Sequence, residues 1–310
     1  MNILLTFDNN YSQHAGVVMV SFCMNNKGHH VFYVISDEIH DDNQQKLKAI
    51  AEQYDCSIHF YFIDCHQTKD FPLGYNMANS YVSIATYFRL FVTEVLPPTV
   101  ERILYLDCDI VINASLEEIW CYTMNESNCL LALEESPSLS SAGARRLHYP
   151  ESYSYFNAGV LLIDMVKLRK TYHLNAAINF IKSHEIKFHD QDVLNGMLYD
   201  KKQYMDLKYN VMDYHLIKHS AFPQRYQNQT DAIYHPYIIH FSGPVKPWHK
   251  ECKNPYTFKY YEYLQYTPWY EYVAQEKYNS IKKKSIYILK QTVKRLIEGM
   301  HLHYYSFIKI

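Results

Sequence analysis

Glycine is scarce in this chain: there are 8 among 310 residues, and none sits in a G-x-G-x-x-G array. A glycine-rich dinucleotide loop and flexible glycine linkers are thereby excluded, so turns must be made with Asn, Asp and Ser. Charge of one sign is lacking too, since 30 basic against 32 acidic side chains leave a net charge of −2. That balance argues against a dedicated nucleic-acid binder, and no nucleic-acid partner is expected. Seven cysteines, at 23, 56, 65, 108, 121, 129 and 252, are odd in number, dispersed and never spaced C-x-x-C. They predict a reducing, cytoplasmic compartment. No run approaches about 18 uninterrupted apolar residues, and the N-terminal MNILLTFDNN has no basic region before its short apolar stretch. Neither a membrane-spanning helix nor a signal peptide is expected.

What is present is a chain that is 48% hydrophobic and 16% aromatic, with 31 Tyr, enough for one sizeable core. Its first hundred residues alternate strand-like runs (2–7, 30–35, 57–63) with helix-like ones (12–24, 41–54). This predicts a β/α array on a parallel sheet. A further helical pattern covers 83–96, and a strand over 102–106 returns to the sheet. Strands are then expected at 130–133, 159–164 and 237–241, helices at 174–183 and 192–199, and a long loop over the polar, Ser-rich stretch 136–154. No linker precedes residue 265. The expected organisation is one domain over 1–265 and a helical, basic and aromatic tail over 266–310.

The stretch 104–112, LYLDCDIVI, sets Asp107 and Asp109 within an apolar run. Ionised carboxylates in apolar surroundings cost several kcal/mol each, so the pair implies a cation, a hydrogen-bond network or a strand end reaching water. Ligands of open α/β sheets bind at the carboxyl ends of strands, where Asp107 and Asp8 both fall. The first turn, FDNNYSQH, contains no glycine to cradle a diphosphate. A divalent cation on carboxylates is the simplest other way to offset such charge, and oxygen ligands suit Mg²⁺ or Mn²⁺ rather than Zn²⁺. Residues i and i+2 of an extended segment share a side, so both acids can face one ion while Cys108 faces the core. D-x-D-x-V after an apolar strand also fits a phosphatase with an aspartyl nucleophile, although here the motif follows three β/α units instead of opening the first.

Three further motifs follow in order: YFNAGVLLI at 155–163, HDQDVLNG at 189–196 and HFSGPVKPWH at 240–249. Together with YLDCD they resemble glycosyltransferase family 8, the retaining nucleotide-sugar enzymes that include bacterial lipooligosaccharide galactosyl- and glucosyltransferases. The resemblance covers residues 2 to about 252 and implies a GT-A, Rossmann-like α/β fold with a mixed central sheet. It also implies a UDP-sugar donor, UDP-glucose or UDP-galactose. By matching positions, Asp107, Asp109 and His240 would hold Mn²⁺ against the diphosphate. Gly243 would let the backbone approach phosphate, and Lys246 would add positive charge there. Thr6, Asp8, Asn10 and Tyr11 would contact the nucleotide, and Asp8 and Asn10 also suit helix caps. Arg89, in SIATYFR at 83–89, would reach sugar and diphosphate. Tyr81, just before it, stands where the galactosyltransferases carry His. Asn157, Ala158, Gly159, Asp190 and Gln191 would face the sugar, as would the acid before the Ser-rich stretch, Glu134, with Glu135 competing for that place.

The family's position for a reactive carboxylate carries Gln191, an amide and a poor nucleophile. With Asp190 beside it accepting from sugar hydroxyls, this implies same-face attack with retention, not double displacement or inversion. Two features remain. His215 and His219 have an i, i+4 spacing without the Glu of H-E-x-x-H and are expected to be an incidental pair. The segment 280–297, SIKKKSIYILKQTVKRLI, mixes basic with apolar side chains. Such amphipathic stretches lie on anionic membrane surfaces, so a peripheral position on the inner face of the cytoplasmic membrane and a glycan or glycolipid acceptor are expected.

Overall fold

The computed structural model describes residues 1–72, 83–217 and 221–275. Strand β1 (Asn2–Thr6), helix α1 (Ser12–Asn25), β2 (Val31–Ser36), α2 (Asp41–Gln53) and β3 (Ser57–Phe62) form the expected parallel β/α array. Next comes a 3₁₀ helix, Ile84–Phe91, which runs into α3 (Val92–Val95). The pattern over 83–96 had predicted one continuous α-helix. The tighter winding has a consequence: residues three apart eclipse on a 3₁₀ helix, so Ser83, Thr86 and Arg89 share one face and all three line the cleft described below.

Beyond this come β4 (Arg102–Leu106), β5 (Ile110–Ile112), α4 (Glu117–Trp120), β6 (Leu130–Glu134), α5 (Pro137–Leu147), β7 (Phe156–Asp164), α6 (Met165–Thr171), α7 (Leu174–Ser183), α8 (His189–Leu198), β8 (Lys202–Tyr204), β9 (Val211–Met212), β10 (Ile238–His240) and α9 (Thr257–Leu264). The main sheet has seven strands in the order β3-β2-β1-β4-β7-β6-β8, with β7 antiparallel to both β4 and β6. It is therefore mixed. A second sheet, β5-β10-β9, carries His240 at the end of its central strand.

Alternation along the strands divides the core. Ile3 and Leu5 of β1 and Leu104 and Leu106 of β4 face α1 and α2, while Leu4, Ile103 and Tyr105 face the opposite layer of α6, α7 and α8. Strand β7 is buried along nearly its whole length and begins at Phe156, three residues before the predicted start. Its early residues form a bulge: Ala132 pairs with Leu161, yet the next residue, Leu133, pairs with Asn157. A bulge of this kind re-aims side chains, and here the shift passes over Ala158, Gly159 and Val160 in the pairing with β6.

The stretch 136–154, predicted to be a loop, is mostly helix. Ser136 caps α5 by accepting from the Leu139 N–H, Pro137 takes the first turn, and His148 ends the helix in a left-handed conformation at φ 59°. Its buried face is Ser140, Gly143, Ala144 and Leu147, spaced for a helix but built of small residues. At the C-terminal end, residues 266–275 stay on the body: a Cβ on Gly16 would lie 2.8 Å from the Trp269 ring, and the Gln275 N–H donates to the Trp248 carbonyl at 3.0 Å. The basic segment 280–297 lies outside the described residues. Among the described residues, no helix is long and apolar enough to cross a membrane.

Candidate active site

A cleft of about 490 Å³ opens where β1 and β4 end. Asp107 leaves β4 with its N–H bonded to the Gly159 carbonyl at 2.9 Å, which fixes the acidic turn against the bulge of β7. Asp107, Asp109 and His240 offer ligand atoms within 4.8 Å of one another. His240 Nε2 lies 3.3 Å from Asp109 Oδ1 and 3.8 Å from Asp107 Oδ2. Gly159 makes this approach possible, because a Cβ there would fall 2.4 Å from His240 Cε1 and 2.7 Å from Asp107 Oδ2. Cys108, as expected, points away into the core, with its Sγ 4.0 Å from the Thr6 carbonyl.

Two cations, Lys246 and Arg89, bear on these acids beside His240. Lys246 Nζ donates to Asp109 Oδ2 at 2.5 Å and to the Phe241 carbonyl at 2.8 Å. Burial opposes ionisation of Asp109, but Lys246 and His240 outweigh it and hold the carboxyl well below its ordinary range. Burial also opposes protonation of His240, where Asp109 and Asp107 outweigh it and raise the imidazole's pKa. Arg89 donates from Nη2 to Asp107 Oδ1 at 2.8 Å, pairs through Nε with Asp190 Oδ2 at 2.7 Å, donates to the Ala158 carbonyl at 2.5 Å, and stacks on Tyr105. Tyr105 adds a second donor to Asp107 Oδ1 at 2.6 Å. Asp107 therefore enters the cleft already oriented through one oxygen, with Oδ2 turned toward His240.

The opposite wall comes from β7 and the start of α8. Asp190 accepts from the Thr86 hydroxyl and is ion-paired with Arg89; burial raises its pKa, partly offset by Arg89. Gln191 Oε1 accepts from the Ala158 N–H at 2.9 Å and from Asn157 Nδ2 at 3.3 Å. The residue before them, His189, has φ 52°, a left-handed conformation that non-glycine residues adopt only when surroundings impose it. Asp192 does so: it accepts from the N–H groups of Lys187 (2.6 Å) and Phe188 (2.8 Å), from Tyr155 (2.7 Å), and twice from Arg146 of α5 (2.6 and 2.8 Å).

Most of the residues singled out in the sequence are brought together here: Thr6, Asp8, Tyr11, Arg89, Asp107, Asp109, Asn157, Ala158, Gly159, Asp190, Gln191, His240 and Lys246 all line the cleft. Asp8 also caps the turn after β1 by accepting from the Asn10 N–H at 3.0 Å. Three residues stand elsewhere. Asn10 is exposed and contributes only that N–H. Gly243 turns its N–H to Asp213 Oδ2 at 2.8 Å, beside the cleft. Glu134 pairs with Arg225, and it is Glu135 that enters the cleft, buried and donated to by Asn157 Nδ2 at 3.0 Å. The difference follows from alternation, which sends the side chains of consecutive residues at the end of β6 to opposite sides. Sequence reasoning missed Thr86, Tyr105 and Asn210, which touch the site's charged groups from outside its motifs or unremarked within them. Tyr81 and His219 lie outside the described residues, and His215 is buried against Phe222 and belongs to no metal-like cluster among the described residues.

A family model described as Glycosyl transferase family 8 matches residues 2–252. The lipopolysaccharide 1,2-glucosyltransferase of Escherichia coli K12 is 30% identical over 307 residues, 97% of this chain and 86% of that protein. The lipopolysaccharide 1,3-galactosyltransferase of Salmonella typhimurium LT2 is 30% identical over 287 residues, 86% of this chain and 79% of that protein. Among solved structures, galactosyltransferase LgtC in complex with donor and acceptor sugar analogues aligns with a TM-score of 0.77 at 24% identity, covering 86% of this chain and 96% of that one. What is shared with it is the fold, an α/β architecture of the GT-A type around a mixed central sheet.

Proposed function

The chain belongs to glycosyltransferase family 8, and on that premise we propose that it moves glucose or galactose from a UDP-sugar to a glycan acceptor of the cell surface, with retention of configuration and with a divalent cation, Mn²⁺ or Mg²⁺. The observation that carries the metal dependence is Asp109 Oδ1, which is buried and accepts no hydrogen bond, with the His240 ring nitrogen 3.3 Å away. Two acceptors facing each other in a buried place need a positive charge between them, either a proton or a metal ion. A set of two carboxylates and one imidazole suits Mn²⁺ or Mg²⁺. When bound there, such an ion neutralises charge on a diphosphate leaving group.

The chain's own residues divide the remaining tasks. Lys246, buried at the same end of the cleft, is placed to meet phosphate charge. Thr6, Asp8 and Tyr11 form the nucleotide end. Asp190 is an acceptor for sugar hydroxyls, held by Arg89, and Glu135 and Asn157 offer further polar groups along the same wall. Gln191 supports attack on the leaving-group face. Its carbonyl oxygen already accepts two hydrogen bonds, one from a backbone N–H that cannot turn away, so neither lone pair is aimed at an anomeric carbon. A diphosphate oxygen is then the base that takes the acceptor's proton. Residues 280–297 are proposed to dock the enzyme on the anionic inner face of the membrane, where a glycolipid acceptor is presented.

UDP release from a panel of UDP-sugars, with and without Mn²⁺, tests the activity, and Asp109→Ala is expected to lose metal-dependent release with its fold intact. A phosphatase would instead free phosphate from simple monoesters without any nucleotide sugar, and a binding protein would hold UDP-sugar without releasing UDP. Product NMR tests the stereochemistry: the anomeric proton of an α-linkage is expected, and a β-linked product would sink the same-face mechanism.

A further inference from the structure

Gly159, Asn157, Asn210 and His240 form a buried line of polar groups whose hydrogen-bond directions can be fixed from one end. At that end the Gly159 N–H, which can only donate, bonds to Asn157 Oδ1 at 2.9 Å. The Asn157 oxygen therefore faces Asn210, which must present its NH₂ to it, at 2.9 Å. Asn210 is thereby left with its oxygen toward His240 Nδ1, also at 2.9 Å. An oxygen accepts, so Nδ1 carries the hydrogen, and the neutral ring has its bare lone pair at Nε2. That lone pair looks at Asp109 Oδ1 and Asp107 Oδ2. At the other side of Asn157 the polarity stays consistent, since its NH₂ meets two acceptors, Glu135 Oε1 and Gln191 Oε1. No link in the line can be reversed without placing two donors or two oxygens against each other.

We propose that Asn210 is a positioning residue that selects the metal-binding tautomer of His240 and joins the metal ligands to the sugar-side wall through Asn157. Asn210 is completely buried and lies outside every motif quoted above. Both of its amide ends are engaged, so it holds the ring's rotation as well as its tautomer. A ligand histidine depends on such an outer partner, and loss of one costs about 10- to 100-fold in metal affinity. The inference rests on the metal site proposed above, and two measurements separate the two.

Mn²⁺ binding to the full chain, followed by loss of the free-ion EPR signal with MnCl₂ as the only ligand, tests the site itself. Asn210→Leu is expected to weaken that binding about 10- to 100-fold, whereas Asn210→Asp, which keeps an oxygen toward Nδ1 and, buried against the Asn157 oxygen, retains a proton on its other oxygen to donate there, should recover most of it. Long-range ¹H–¹⁵N NMR of the wild-type chain at alkaline pH, where the imidazole is neutral, is expected to show His240 protonated at Nδ1 and bare at Nε2. The NMR measurement needs no variant and so stands whether or not Asn210→Leu folds. A His240 protonated at Nε2, equal Mn²⁺ affinity in Asn210→Leu and wild type, or equal loss in both variants overturns the role of Asn210. Absence of Mn²⁺ binding by the wild-type chain overturns the metal site and this inference together.

Discussion

Asp192→Asn should be the most informative single substitution away from the ligands themselves. The carboxylate is fully buried and accepts five hydrogen bonds, two of them from Arg146, whose side chain is itself only 9% exposed. Asparagine keeps the volume but removes the charge and turns an NH₂ toward donors already present. Breaking a buried ion pair from one side costs about 3–5 kcal/mol, because the remaining charge is left without compensation. At about 2 °C per kcal/mol for a chain of this size, the midpoint of thermal unfolding should fall by roughly 6–10 °C. A double-mutant cycle with Arg146→Met isolates the pair, and urea denaturation should return a coupling of about 2 kcal/mol or more. The same carboxylate holds His189 in its left-handed conformation, immediately before Asp190 and Gln191. Turnover should therefore drop about tenfold, the penalty of a small misplacement, while Mn²⁺ affinity stays at the wild-type value. A stability loss below about 1 kcal/mol, outside the range for such pairs, or a cycle without coupling, would refute the clamp.

Three further outcomes follow from other parts of the molecule. Lys246→Met removes a cation 2.5 Å from Asp109, so calorimetry should find tighter Mn²⁺ binding without nucleotide and weaker UDP-sugar binding with it; unchanged values for both would refute the placement of Lys246. Burial depresses the pKa of His215 to about 3, so its contribution to stability is complete above the unfolded value of about 6.5 and is lost as pH falls through that value toward 3. Near pH 5 the loss is about 2 kcal/mol, and urea midpoints measured from pH 7 to 5 should fall less steeply in His215→Phe than in wild type. Deleting residues after 275 should release the protein from anionic vesicles in a sedimentation assay, and unchanged binding would discard the membrane role of 280–297.

The parts of the fold that were legible in the sequence are those where burial repeats with a period. Strands β1 to β4 and helices α1 and α2 have apolar positions on one or both faces, and their predicted limits lie within about two residues of those found, the usual uncertainty of an element's end. Helix α5 was missed because its buried positions, Ser140, Gly143, Ala144 and Leu147, keep helical spacing without apolar bulk. The Ser-Pro pair that starts it was a visible signal and was outweighed by the surrounding serines. The stretch 83–91 carried the right periodicity and the wrong winding, because a mostly apolar run does not distinguish three from 3.6 residues per turn. Only the polar set Ser83, Thr86 and Arg89, spaced by three, held that information.

The site was legible as a set of residue types and not as a set of atoms. Asp107, Asp109 and His240 could be grouped from the motifs, but an amide written as a letter has no direction, and here direction decides the chemistry. In the proposed site, the Ala158 N–H occupies Gln191 Oε1 and the Gly159 N–H sets the direction of the line that ends at His240, two backbone donors at the same bulge of β7. The close approach of His240 and Asp107 to that bulge in turn depends on a residue without a side chain, since any Cβ at 159 would overlap both. In a chain with 8 glycines, one placed where His240, Asp107 and Asn157 converge ties backbone shape to all three. A substitution at Gly159 should accordingly disturb metal binding and the orientation of Asn157 together, whereas one at Asp109 should disturb the metal alone.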